Sequence, residues 1–264
     1  SNIISYSYFS SVLAKKYDAS IYSFFPRVPR NFFLKLIWLL RSKFGNKTLN
    51  LFISFGSEGL VVPSSNNLMK AEVEEIFDIK VNSLKTKDDL ENLDINGIIF
   101  GDLIYDYYLN YYKEIEIDVL SEKFRHHLKY CITLIVFWKN FINENNVKAI
   151  NVSHTVYSNA IPIRIAIEQE IPSYQTTAET IYRLSKERKF AYTDFKDFRK
   201  NFEQLDFSIK KNGIMMAKER VESRFSGTVG VDMSYSKKTA FGDKLNYRLI
   251  KKSPNKKILV APHC

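Results

Sequence analysis

The hydrophobic and polar positions are most sharply ordered in residues 147–183. A short apolar run at 147–152 stops at Ser153-His154, an amphipathic pattern follows over 157–170, and a second short run opens at Ile171-Pro172. This alternation predicts a strand, a helix and a second strand, the unit that builds parallel sheets. The same pattern, read from the start, predicts a helix over 1–16 and a first strand over 18–25, interrupted by Pro26 and Pro29. Over 31–44 the residues Phe33, Leu36, Ile37, Leu40 and Phe44 fall at helical spacing with Arg30, Lys35, Arg41 and Lys43 around them. That helix is either a core element with solvated basic side chains or one that lies on an anionic membrane surface. Residues 49–55 predict a second strand, ending in Gly56-Ser57-Glu58-Gly59. Helices are expected over 68–77 and 121–145, a short helix or a turn over 88–93, and a third strand over 95–100 that closes at Gly101-Asp102. Beyond the central unit come helices over 193–207 and 208–225, an ordered loop over 227–242, a basic linker at 251–257 and a further strand at 258–261. Five strand candidates alternate with helices before residue 180. The expected fold is therefore α/β, an open, mostly parallel, Rossmann-like sheet flanked by helices. Residues 1–252 would form one lobe, and 253–264 a linker and the first strand of a second, missing lobe.

Composition narrows the partners more than the fold. The 264 residues are 45% hydrophobic, enough for a substantial core, and 39 Lys plus Arg against 29 Asp plus Glu give a net charge of +10. Anionic partners are favoured: sugar nucleotides, lipid-linked phosphates, phospholipid head groups or nucleic acid. Against nucleic acid stand the lack of an RNA-binding aromatic signature and of any long basic run. The two cysteines, Cys131 and Cys264, are far apart and read as free thiols in a reducing compartment. No 18-residue uncharged apolar stretch occurs, and the first residues lack the pattern of a signal peptide. A cytoplasmic protein, able to sit peripherally at a membrane, is expected.

Candidate chemistry follows from the strand ends, where parallel sheets collect their ligand-binding groups. Parallel strands would gather Glu58, Asp102, His154 and a turn at 174–177 on one edge. His154 or Asp102 is then a candidate general base for a hydroxyl nucleophile, with Ser153 or Thr155 placed to orient the imidazole. Gly-Asp after a strand is equally a common helix start, and a loop histidine is often structural. Arg164 and Arg183 offer the planar fork that clamps phosphate or carboxylate, although a solvated arginine is the commoner case. His126 and His127, adjacent on a helix, point about 100° apart and do not share a metal from one face, so both read as surface or packing residues. No metal site is assigned, and no P-loop, nucleophile elbow or zincin helix is present.

Three stretches, SHTVYSNAIPIRIAIEQEIPSYQTTAETIYRLSKER, RFSGTVGVDMSYSKKTAFG and KKILVAPHC, resemble bacterial capsular and surface polysaccharide biosynthesis proteins of the glycosyltransferase type. The resemblance spans residues 147–264. It implies a two-domain GT-B architecture whose amino-terminal lobe takes the acceptor, the second lobe binding most of the nucleotide sugar. It places His154, Tyr157, Arg164, Tyr182, Arg183, Arg224, Ser226, Gly227 and Asp232 on matching positions. The implied activity is inverting, metal-independent transfer of a sugar from a nucleotide-sugar donor, a substrate rather than a cofactor, to a glycan or lipid-linked acceptor. A non-catalytic carbohydrate-binding or assembly subunit is the first alternative, and a basic nucleic-acid-binding module the second.

Overall fold

In the computed structural model of the chain, residues 2–24, 33, 37, 47–64, 66–177, 180–191, 198–231, 236–239 and 241 are described. The chain divides into two compact units, Ser1–Asp194 and Phe195–Cys264. In chain order the first holds α1 (Asn2–Tyr17), β1 (Ile21–Phe24), α2 (Lys47–Ser54), β2 (Ser57–Val61), α3 (Asn67–Ser83), α4 (Lys87–Glu91), β3 (Asp94–Ile95), β4 (Ile98–Ile99), α5 (Gly101–Tyr112), α6 (Glu122–Glu144), β5 (Ile150–Val152), α7 (Ala160–Glu168), β6 (Ser173–Thr176) and β7 (Ile181–Leu184). The second holds α8 (Phe198–Glu203) and α9 (Phe207–Phe225). The chain is mixed α/β, with helix predominant. No helix among the described residues is long and apolar enough to cross a membrane.

The core is organised around α6. The Ser121 side chain accepts a hydrogen bond from the Phe124 N–H and starts the helix. From there Phe124, Leu128, Cys131, Ile135, Trp138 and Ile142 recur at alternating spacings of four and three and are all buried, the stripe that one helix face presents to a core. Met69, Val73 and Val81 of α3 meet this core, as do Ile161, Ile163, Ile165 and Ile167 of α7. Each such side chain contributes about 1.5–3 kcal/mol on burial. His127, fully buried, is ringed by Tyr107, Tyr108 and Tyr112 and lies 3.4 Å from the thiol of Cys131. His126 is exposed.

The strands fall into three small sheets among the described residues. β1 and β2 are parallel, β3 and β4 form an antiparallel hairpin, and β6 pairs parallel with β5 and antiparallel with β7. The central strand, helix and strand expected over 147–183 are present as β5, α7 and β6.

Two expected strands are corrected. Residues 49–55 lie in and just after helix α2, not in a strand. Phe52 and Phe55, three apart, turn to the same side, and Gly56 ends the helix in the left-handed region at φ 93°. The strand begins after that turn, at Ser57. Residues 95–100 are likewise not one strand but a hairpin. Asn96 and Gly97, at φ 55° and 79°, make the two-residue turn that Asn-Gly favours, and the Gly97 N–H donates to Asp94 Oδ2 at 3.2 Å. The expected helix over 31–44 falls outside the described residues apart from Phe33 and Ile37. The start of the helix expected over 193–207, the linker at 251–257, the strand at 258–261 and the boundary near residue 252 fall outside them as well.

Candidate functional site

The chain leaves β5 at Val152 and turns through Ser153, His154 and Thr155. Thr155 is buried and its hydroxyl donates to Gln175 Oε1 at 2.9 Å, which ties this turn to β6. Next to it His154 is exposed, its Nδ1 3.0 Å from the Ser153 hydroxyl. In the tautomer whose Nδ1–H donates to Ser153, the free lone pair is on Nε2. Three residues beyond His154, Tyr157 takes a left-handed φ of 56°, a conformation that costs a bulky residue about 1–2 kcal/mol. Such strain gathers at functional turns.

Beside this turn opens a cavity of about 680 Å³ between α1, β1, β5 and the end of α6, and Ser153 is part of its lining. One wall is aromatic: Tyr6 lies against Phe52 at 5.9 Å, and Phe24 sits edge-on to Trp138 at 4.9 Å. Burial pushes the Tyr6 hydroxyl above its ordinary value, so it stays neutral at physiological pH. Opposite the aromatics, Asn151 of β5 fixes α1 in place. Its amide donates to the Tyr6 carbonyl at 3.0 Å and to the Ser10 hydroxyl at 3.1 Å, and its carbonyl accepts from Thr176 at 2.8 Å.

The other residues singled out by the sequence are dispersed. Asp102 is not at the end of a sheet strand but in the first turn of α5. Arg164, at 6% side-chain exposure, grips it with both terminal nitrogens, Nη1 reaching Oδ1 at 2.6 Å and Nη2 reaching Oδ2. Nη1 also donates to the Ile99 carbonyl at 2.6 Å, and the guanidinium lies 5.5 Å over the Phe190 ring. Arg164 thus pins α7 to α5 and the hairpin. Both carboxylate oxygens of Asp102 are thus engaged by one guanidinium, away from His154 in the pairing that the structure shows.

Glu58 occupies the second position of β2, at its amino end, where it accepts from the Ser20 hydroxyl at 2.7 Å. The expectation that it sits beyond a strand's carboxyl end is corrected, because the preceding segment is a helix. Residues 174–176 are strand rather than turn. On β7, Tyr182 is half-buried beneath the Arg188 guanidinium at 5.4 Å, and exposed Arg183 stands across the ladder from Tyr174. Burial and a hydrogen bond with Tyr17 raise the Tyr174 hydroxyl, while Arg183 draws it back.

In the second unit, Ser226 and Gly227 terminate α9. Gly227, at φ 87°, donates to the Arg224 carbonyl at 3.1 Å, and the Thr228 N–H reaches the Ser223 carbonyl at 3.0 Å. This is the paired bonding of a Schellman stop. Arg224 stacks on Phe241 at 5.7 Å. Asp232 lies outside the described residues.

Sequence reasoning passed over the wall supplied by α1. Its signal was present: Tyr6, Ser7, Ser10, Leu13, Ala14 and Tyr17 recur at helical spacing, a face of hydroxyls and small groups where a core helix would carry large apolar ones. Compared with known proteins, the chain matches no family model, no curated protein and no solved structure.

Proposed function

We propose that the chain is the acceptor-side part of a glycosyltransferase that builds a capsular or other surface polysaccharide, working at the cytoplasmic face of the membrane. In this reading β2–β1 and β5–β6 are two halves of one open, mostly parallel sheet of the Rossmann type, interrupted by the cavity. Ligands of such sheets gather beyond the carboxyl ends of strands at a break in the strand order. The observation that carries the proposal is His154, exposed just beyond β5, held by Ser153 and adjoining a cavity of ligand size. An acceptor hydroxyl placed at Nε2 gives up its proton as its oxygen bonds to the anomeric carbon of the donor sugar. The bond from that carbon to the donor phosphate breaks with its electron pair leaving on the phosphate. The net charge of +10 favours both the nucleotide sugar and an anionic, lipid-linked acceptor.

The engagement of Asp102 by Arg164 favours a second reading, a carbohydrate-binding or assembly subunit without chemistry, because Asp102, the carboxylate expected on the same edge as His154, is taken up elsewhere. The two separate on one experiment. His154→Ala in the full-length protein, assayed for release of nucleotide from a panel of sugar nucleotides in the presence of membrane acceptors, lowers turnover by about 10²–10⁴ if His154 is the base. Unchanged turnover in this variant rejects His154 as the base. No turnover in either protein, with glycan binding retained, selects the binding subunit.

A further inference from the structure

His154 is exposed, and the hydroxyl at its Nδ1 belongs to Ser153, the residue before it in the chain. The contact between these two successive side chains depends on their relative directions, which the backbone of the turn sets. That backbone is held by β6. Val152, the last residue of β5 and buried, stands opposite Gln175 in the parallel register. Thr155, buried as well, turns its hydroxyl inward to Gln175 Oε1 at 2.9 Å. One residue of β6 therefore meets the chain on both sides of Ser153-His154, by register before the pair and by its side chain after it. Between these two anchors Ser153 and His154 form a two-residue excursion. Gln175 is only 3% exposed, and its neighbour Thr176 donates to Asn151 of β5 at 2.8 Å, so the anchor is itself fixed. A hydrogen bond between groups this buried resists opening, because a partner left behind has lost its water and gains nothing in exchange. The Thr155 hydroxyl, which the sequence places within reach of the imidazole, is directed to this bond instead.

We infer that Gln175 is a positioning residue for His154, acting through the Thr155 hydroxyl to hold the imidazole in one orientation. An exposed side chain that nothing holds passes between rotamers in picoseconds to nanoseconds, and misplacing a reacting group by about 1 Å can cost about a hundredfold in rate. The consequence for turnover rests on the reading of His154 as the base, while the hold on its ring does not.

The test has two readouts. In the ¹³C,¹⁵N-labelled full chain, the three-bond couplings from the His154 backbone nitrogen and carbonyl carbon to its Cγ report the χ1 rotamer by NMR. A single rotamer is expected in the wild type and an average over rotamers in Gln175→Leu. Thr155→Val, which keeps the side-chain shape and removes only the hydroxyl, is expected to do the same, and Thr155→Ser to restore the single rotamer. In the turnover assay, Gln175→Leu and Thr155→Val each lower kcat by about tenfold to a hundredfold at unchanged KM, and the double variant loses no more than either alone, since both remove one bond. The control is Thr86→Ala, which removes the hydroxyl that caps α4 and lowers the midpoint of thermal unfolding; it leaves both the couplings and kcat unchanged. Averaged couplings in the wild type, or a single rotamer retained in both Gln175→Leu and Thr155→Val, overturn the inference. So does an equal loss of kcat in Thr86→Ala, which would mean that turnover follows stability alone. An essential His154 with full turnover in both clasp variants removes the positioning role and keeps the base. A His154→Ala variant with full turnover, in a protein whose couplings behave as expected, keeps the clasp and removes the base.

Discussion

Arg164 illustrates how one side chain's environment decides its role. On sequence alone it is a charge on an amphipathic helix, free to bind phosphate or face water. In the folded chain it is buried, and its fork meets protein on three sides: Asp102, the Ile99 carbonyl and the face of Phe190. A guanidinium is suited to that position because it forms two parallel bonds to a carboxylate and stacks on an aromatic ring at once. Removing Asp102 strands this charge. Asp102→Ala is expected to lower unfolding free energy by about 3 kcal/mol in urea titration, the lower end for a buried pair because Asp102 keeps 38% of its side chain in solvent. Full stability of the variant combined with lost turnover would instead return Asp102 to the chemistry.

At the level of the element, the junction of α4, the β3–β4 hairpin and α5 depends on a single missing side chain. The N–H groups of Phe100 and Gly101 both donate to the Leu93 carbonyl, at 3.0 and 3.1 Å, which draws the start of α5 against the end of α4. A Cβ on Gly101 would stand 1.7 Å from the Leu90 carbonyl oxygen, which is backbone and has nowhere to go. Gly101→Ala therefore forces α4 and α5 apart. It is expected to destabilise the protein by about 1–3 kcal/mol or more, read as a lower midpoint in thermal unfolding. Gly97→Ala has no such obstacle, since nothing lies within 4 Å of its Cβ position, and its cost comes from the φ of 79° alone. The pair of variants thus separates close approach from backbone conformation.

Across the whole chain, burial is unevenly shared. In the first unit α6 carries ten buried residues, whereas α9 in the second carries none. Phe207, Met216 and Phe225 of α9 are more than 60% exposed. Helices hold their hydrogen bonds against exchange mainly through the packing of a buried face. Amide exchange in the full chain is expected to be slowest in α6, with α9 faster by about a hundredfold or more. Equal protection of α9 would mean that a second molecule covers it in solution.

Periodicity made the elements legible wherever one face is continuously apolar. The stripe of α6, the unit of β5, α7 and β6, and the position of His154 at the end of β5 all follow from spacing that physical burial enforces. It misjudged residues 49–55 and 95–100, where local turn chemistry decides: a left-handed Gly56 that closes a helix, and an Asn-Gly pair that folds a strand back on itself. Both signals are in the sequence, but they compete with apolar runs too short to distinguish helix from strand. What the sequence by itself determined was thus the apolar stripe of α6, the unit of β5, α7 and β6, and the turn that bears His154. Only the tertiary structure decided that Arg164 engages Asp102 and that Glu58 stands at the amino end of its strand. Those outcomes depend on which distant groups arrive at a given place, and hydrogen bonds and ion pairs between residues as far apart as 102 and 164 leave no periodic trace in the chain.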